Sequence, residues 1–469
     1  MKKWWLFEKQ EEPDRTDYSA LQAVIFTLIV IVICVAIRAV TWPGDKHVDI
    51  SFIGQAVFIP MMCALGLFFF LMISASAERL YTESQWEIAK TQENALKTYA
   101  SNSLTLAGWA LLTPLEEPAL NMLKLEGEFP LAPKTPLNIP RDDVFEFTPN
   151  EQLFNRLLAP LTEKLKTAHY KSFESALWVR GGDESCCDDL RRTFQRLGLT
   201  SNNIEYLPEC PGYSLINDWI DKARGYVFNQ LLIIVDVHDE EGDSKAMENA
   251  TALLLTNDYW KTEAEKPVYL FRPISGITDV EETLPVYLQV KPVNAPKTLW
   301  YTGLSKVEKY PLMQGLDEAK LVANRLELET SFGEKSAGYR WLALALAAEA
   351  VKYAQGDQLV AASDSNRLDI TPMSSCLPAL STESLYVEYT RPWQYGGYAG
   401  LMIAFAALFG ISMFNDAGPT GELSHGMALF MVIAIIVIFL SIGIFTTVHT
   451  ENKAYEQMKR PQRYPLRPL

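Results

Sequence analysis

The stretch Leu326-Glu-Leu-Glu-Thr-Ser-Phe-Gly-Glu-Lys-Ser-Ala-Gly-Tyr-Arg-Trp-Leu-Ala-Leu-Ala-Leu-Ala-Ala-Glu-Ala350 joins a glycine-bracketed polar turn to a helix with almost no polar face. Gly333 and Gly338 frame the turn. From Trp341 to Val351, Ala and Leu dominate so fully that the helix must be packed on nearly every side, because a surface helix keeps a polar stripe. Its small side chains let neighbouring backbone come close.

The chain has 469 residues, a formal charge of -15 and a pI near 5.0. That length holds one large or two ordinary domains with additions, and the acidic balance argues against a nucleic-acid partner, whose phosphates select a basic face. The six Cys have no regular spacing, and Cys34 and Cys63 fall inside apolar runs, so no disulfide framework is indicated. The soluble part reads as a protein of a reducing compartment.

Four apolar runs set the broad class: Leu21 to Val40, Phe52 to Ala75, Tyr398 to Phe414 and Met427 to Val448. Each approaches the length that crosses a hydrocarbon core of about 30 Å. Arg38, the only formal charge within them, is near enough to an end to snorkel. The first run is no signal peptide, since a second span follows it closely. Lys2, Lys3, Lys9 and Arg15 precede the first span and Lys453, Lys459, Arg460, Arg463 and Arg467 follow the last, whereas the hairpin loops carry only Lys46. By the positive-inside rule both termini and the central domain lie in the cytoplasm, with four spans in a bacterial inner membrane. Trp4, Trp5 and Tyr464 are expected only as interfacial anchors. No intramembrane carboxylate suggests transport.

The expected organisation is residues 1–77 as tail and membrane hairpin, 78–100 as a helical linker, 101–395 as a soluble α/β domain, and 396–469 as a second hairpin with a basic tail. Within the α/β domain, strands are expected at Ser103–Leu112, Ala176–Arg180, Gln230–Val237, Ala252–Thr256, Pro267–Arg272, Thr283–Val290, Leu299–Gly303 and Leu359–Ser363. Helices should lie between them, and a domain of this length has room for two weakly similar halves.

Several pieces resemble, in order, the thiolase-like superfamily that includes β-ketoacyl synthases. Leu104-Thr-Leu-Ala-Gly-Trp-Ala-Leu-Leu-Thr-Pro-Leu115 is similar to its opening strand. Leu231-Leu-Ile-Ile-Val-Asp-Val-His238 and Asn249-Ala-Thr-Ala-Leu-Leu-Leu255 resemble its central strand and the small-residue strand beside it. Leu326–Ala350 resembles its C-terminal Gly-His-x-x-x-Ala-x-Gly loop and helix. The resemblance covers roughly Leu104 to Val387 and implies a thiolase-like fold between two transmembrane hairpins.

Condensation of the family's type uses a thiolate with two polar partners, usually His with His or Asn. The resemblance places the nucleophile near Cys210, in Leu207-Pro-Glu-Cys-Pro-Gly212 ahead of an amphipathic helix at Ser214 to Ala223. Pro211 interrupts the family's small-residue turn, and a lone Cys before a helix is ordinarily inert. Glu334 stands where the family's loop has His, and an ionised carboxylate there repels a developing oxyanion. Of the five His, only His169 and His238 belong to the domain, both ahead of the region where the resemblance needs them. The expectation is therefore a pseudo-enzyme, with Cys210 and Glu334 as vestigial site residues and no catalytic residue, cofactor or metal.

Other constellations are weaker. Cys186-Cys187 lacks the spacing of a metal site. The acidic run Asp236 to Asp243 reads as a solvated loop, and Asp364-Ser-Asn-Arg367 as a turn. The layout resembles accessory proteins of bacterial type VI secretion clusters. That resemblance implies a non-catalytic adaptor, or an effector-handling or immunity protein, whose partner is a secretion effector or spike component. Dimerisation through a sheet edge is a third expectation. The alternative is a membrane-bound acyl-condensing or acyl-binding enzyme using Cys210; it calls for the thiol at a tunnel mouth beside two polar partners, not among aliphatic side chains.

Overall fold

A computed structural model describes residues 4–8, 10–13, 20–43, 47–135, 137–141, 146–167, 169–238, 246–258, 266–293, 295–322, 324–379, 390–415 and 425–459. The described residues fall into two compact units, one drawn from 1–5, 94–381 and 466–469 and the other from 6–93 and 382–465.

The second unit holds the apolar helices. They are α1 (Ala20–Thr41), a long helix made of α2 (Ile50–Ile53), a π-turn (Gly54–Phe58) and α3 (Ile59–Ala100), then α13 (Pro392–Asn415) and α14 (His425–Lys459). Four helical segments, at Ala20–Thr41, Ile50–Ala100, Pro392–Met413 and Gly426–Met458, are long and apolar enough to cross a membrane. Residues 78–100 continue α3 without a break, so the second apolar run and the expected linker are one helix. Glycines bring α13 and α14 together: a Cβ on Gly396 would fall 2.5 Å from the Phe439 carbonyl oxygen and 3.1 Å from the Gly443 Cα. Small residues at such a crossing let two backbones meet.

The first unit is a mixed α/β domain. Its strands are β1 (Ser103–Leu112), β2 (Phe173–Val179), β3 (Ser201–Tyr206), β4 (Asn229–Asp236), β5 (Asn249–Thr256), β6 (Tyr269–Phe271), β7 (Ile274–Ile277), β8 (Thr298–Thr302), β9 (Asn324–Glu327), β10 (Gln358–Asp364) and β11 (Arg367–Ser374). Its helices are α4 (Pro118–Met122), α5 (Pro149–Leu158), α6 (Thr162–Lys166), α7 (Ser185–Leu197), α8 (Ser214–Lys222), α9 (Val280–Val290), α10 (Lys306–Glu318), α11 (Leu328–Phe332) and α12 (Tyr339–Lys352).

The strands join in the order β3-β2-β4-β5-β1-β6-β11-β10-β8-β9, with β7 beside β11. Each arm repeats one scheme: β3, β2 and β4 are parallel and β5 runs against them, while β9, β8 and β10 are parallel and β11 runs against them. The two halves meet where β1 pairs with β6.

Strand periodicity explains the unbroken apolar runs. Along β4, Leu232 and Ile234 enter a core cluster shared with α8 and α12, while Leu231, Ile233 and Val235 enter a second one beneath α5 and α7. Both faces are buried, so no polar alternation survives. Helix α12 packs against β1, β5, β8, β10 and β11, strands of both halves, and twelve of its fourteen residues are buried.

One expected strand is a helix. Thr283–Val290 lies in α9, whose buried Val280, Thr283, Leu284, Tyr287 and Val290 follow helical spacing. The Asp279 carboxylate caps it by accepting from the Glu282 amide at 3.0 Å. Pro285 sits on the exposed side, where its missing N–H leaves a carbonyl to water. Trp4 also departs from expectation: it is buried, with its ring centroid 5.7 Å from Tyr99 and 5.9 Å from Tyr287.

Candidate functional site

Cys210 lies between β3 and α8, at the head of a helix that sits in the same buried layer as α12. Its thiol donates to the Ala337 carbonyl oxygen at 3.3 Å. The loop before α12 thus closes over the sulfur, and a web of bonds fixes that loop.

Asp236, at the end of β4, is fully buried. Its carboxylate accepts from the Ser336 hydroxyl at 2.5 Å, from the Gly338 amide at 2.6 Å and from the Arg180 guanidinium. Arg180 also donates to Ser336 at 2.8 Å. Gly338 is the only residue that fits, because a Cβ there would lie 2.6 Å from Asn249 Oδ1 and 2.7 Å from the Asp236 Cβ. The expected solvated loop therefore begins with a buried carboxylate, and residues 239–243 of that run lie outside the described residues.

The other side of Cys210 is held from α12. The Trp341 indole donates to the Pro211 carbonyl at 2.9 Å, and Arg340 donates to the same oxygen at 3.3 Å. Pro211 thus serves as a bonded corner. The Tyr213 hydroxyl donates to the Arg340 carbonyl at 2.6 Å, and its amide donates to Asp369 at 3.0 Å. Arg340 also lies 3.6 Å from the Asp364 carboxylate.

Electrostatics at the sulfur are mixed. Burial pushes the Cys210 thiol up to about 12; Arg340 and Arg180 pull it down, while Asp236 and Asp364 push it further up. The thiol is protonated at neutral pH, and it packs against the hydrophobic core as well as lying within reach of charged groups. Burial likewise raises Asp369 above the usual carboxylate range, against the opposing pull of the Gly276 and Tyr213 amides.

A cleft of about 340 Å³ opens over the same loops. Lys335 and Gly303 line it with Ser363, Ser365 and Asn366, so its wall residues interleave in sequence with Ser336, Ala337 and Asp364 of the thiol site. Ser365 and Asn366 have positive φ, as a two-residue hairpin turn requires, and the expected turn at Asp364–Arg367 joins β10 to β11.

The structure does not bring the family-type partners together. Glu334 is exposed on the loop between α11 and α12. His238 donates to the Ala246 carbonyl at 3.1 Å and His169 to that of Asp258 at 2.7 Å. Cys186 and Cys187 are buried on α7, and among the described residues no group of three or more His, Cys, Asp or Glu is placed to hold a metal. The residues that surround the thiol, Arg180, Asp236, Arg340 and Asp364, come from four separate segments, and no sequence motif marks them as a site.

No protein-family model matches the chain, and no curated protein matches it. Solved structures do. A 3-oxoacyl-[acyl-carrier-protein] synthase III from Aquifex aeolicus VF5 matches at 10% identity and a TM-score of 0.36, covering 58% of this chain and 99% of that one. Cerulenin-bound OleA from Xanthomonas matches at 9% and 0.40, covering 58% and 96%. ChlB3, described as an acyltransferase, matches at 12% and 0.38, covering 59% and 99%.

These findings correct two expectations. The non-catalytic adaptor and the pseudo-enzyme gain no counterpart here, since the similar structures are described as condensing or acyl-transferring proteins. The physical grounds for the pseudo-enzyme were the missing histidine partners, which the structure does not supply, and Glu334 repelling charge at the sulfur. Two guanidiniums act on Cys210 instead, and both favour its charged form.

Proposed function

We propose that the soluble domain is an acyl-binding, acyl-transferring module with Cys210 as the acceptor, held at a bacterial inner membrane by four spans. The observation that carries this reading is the Cys210 thiol just ahead of α8, within electrostatic reach of Arg180 and Arg340. In the transfer step the sulfur attacks the carbonyl carbon of an acyl thioester. The carbon–sulfur bond to the carrier breaks, the acyl group stays on Cys210, and the proton of the thiol ends on the released carrier thiol. Arg340 and Arg180 favour the attacking thiolate by charge. No imidazole assists, so the rate follows the small thiolate fraction. The basic tails put the domain on the cytoplasmic side, where acyl thioesters and the inner leaflet are both within reach.

The test mixes the full chain in non-ionic detergent with a long-chain acyl-coenzyme A and measures free thiol release. The reading expects about one thiol per chain, rising in rate with pH, and none from Cys210→Ser. Equal release from both proteins refutes it.

A further inference from the structure

Arg38 is the one charged residue of α1, in its last turn. It lies about 11 Å from the helix midpoint at a rise of about 1.5 Å per residue, within a hydrocarbon half-thickness of about 15 Å. Its side chain therefore reaches toward the headgroups from inside the apolar layer.

The protein satisfies this guanidinium only in part. One Nη donates to the Gln55 side-chain carbonyl, and the Trp42 ring lies 5.2 Å from Cζ, covering a face and taking no N–H. Nε is buried without a hydrogen-bond partner. Among the described residues no carboxylate pairs with Arg38. Asp49, in the same hairpin connection, is engaged as the N-cap of α2, accepting from the Phe52 amide at 3.1 Å. Gln55, the neutral acceptor, belongs to the π-turn Gly54–Phe58 that interrupts the long helix. Such turns occur often at functional sites. A full positive charge with unused donors at the edge of the hydrocarbon calls for an anionic partner, and the described residues supply none.

We propose that Arg38, with Gln55 and Trp42 beside it, is a phosphate-binding site for a phospholipid headgroup at the first hairpin. Guanidinium and phosphate match in charge and in paired N–H to O geometry. The test uses the full chain, delipidated in dodecyl maltoside, with bound lipid counted by native mass spectrometry. Phosphatidylglycerol, phosphate-free diacylglycerol and inorganic phosphate are added in separate arms.

Wild type is expected to retain phosphatidylglycerol over diacylglycerol, and Arg38→Gln to bind it at least tenfold more weakly. Arg38→Lys, which keeps the charge and loses the fork, should fall between them. Arg38-dependent stabilisation by inorganic phosphate alone supports the phosphate site with the free anion as its source. Wild type that binds diacylglycerol as well as phosphatidylglycerol overturns the proposal whatever the variants do. So does an Arg38→Gln protein that is folded and binds phosphatidylglycerol like wild type.

Discussion

Replacing Asp236 by alanine removes the shared acceptor of three donors. The Gly338 amide is buried and its bond to a carboxylate is charge-assisted, so its loss costs about 1.5–3 kcal/mol. Ser336, also buried, loses a bond worth about 1 kcal/mol, though its hydroxyl can rotate. Arg180 is 39% exposed in its side chain, and water takes over much of its pairing, leaving less than about 1 kcal/mol. Together the variant should lose roughly 3–5 kcal/mol, the range for breaking one side of a buried pair. At about 2 °C per kcal/mol for a large domain, the soluble part should unfold roughly 6–10 °C earlier. The assay is near-ultraviolet circular dichroism of the full chain in detergent, with Trp341 as a buried reporter.

A second readout ties this to the site. Asp236 pushes the thiol upward, and through Ser336 and Gly338 it holds the Ala337 carbonyl over the sulfur. Alkylation of Cys210 by iodoacetamide should therefore quicken by at least tenfold in Asp236→Ala, and less in Asp236→Asn, which keeps one oxygen acceptor. A variant that melts within about 1 °C of wild type, with unchanged Cys210 reactivity, refutes the reasoning.

Three further outcomes are expected. With its thiol near 12, Cys210 should alkylate about tenfold faster per pH unit from 7 to 11, whereas a plateau near 9 would mark an ordinary thiol. Burial raises the Glu349 carboxyl to about 7, so its contribution to stability is full at low pH and is lost as pH rises through 7. Glu349→Gln should therefore stabilise the domain by about 1–3 kcal/mol at pH 8 and change little at pH 4, as read by denaturant midpoints. Gly396→Leu forces side-chain atoms into the Gly443 backbone and should cost about 1–3 kcal/mol in the α13–α14 pair; a wild-type melting profile in detergent would count against that crossing.

The long apolar helices and the buried strands are legible in the sequence because each carries its own signal. Twenty apolar residues cannot be solvated, and β4 and β5 are so apolar on both faces that they must be internal. The polar edge strand β3, Ser201-Asn-Asn-Ile-Glu-Tyr206, has no such signal and stays hidden. Thr283–Val290 misleads because β-branched and aromatic residues surround a proline, while its helical period needs Val280 to become visible. Of the site, Cys210 stands out in the sequence, but its surroundings do not. Asp236 reads as the start of an acidic loop, and Arg180, Ser336 and Arg340 meet only through tertiary contacts between distant segments, Asp236 lying 56 residues from Arg180 and 100 from Ser336.

Helix α12 and the loop before it carry Ser336, Ala337, Gly338, Arg340 and Trp341 to Cys210. The small residues that let α12 pack against both halves of the sheet thus also fix the wall around the thiol. Intact-protein mass spectrometry with peptide mapping tests the central claim most directly. After incubation of the full chain with lauroyl-coenzyme A at pH 9, the account predicts one lauroyl group on the peptide containing Cys210, removed by hydroxylamine and absent from Cys210→Ser. An unmodified Cys210 peptide, or equal acylation at Cys376 and Cys210, would contradict it.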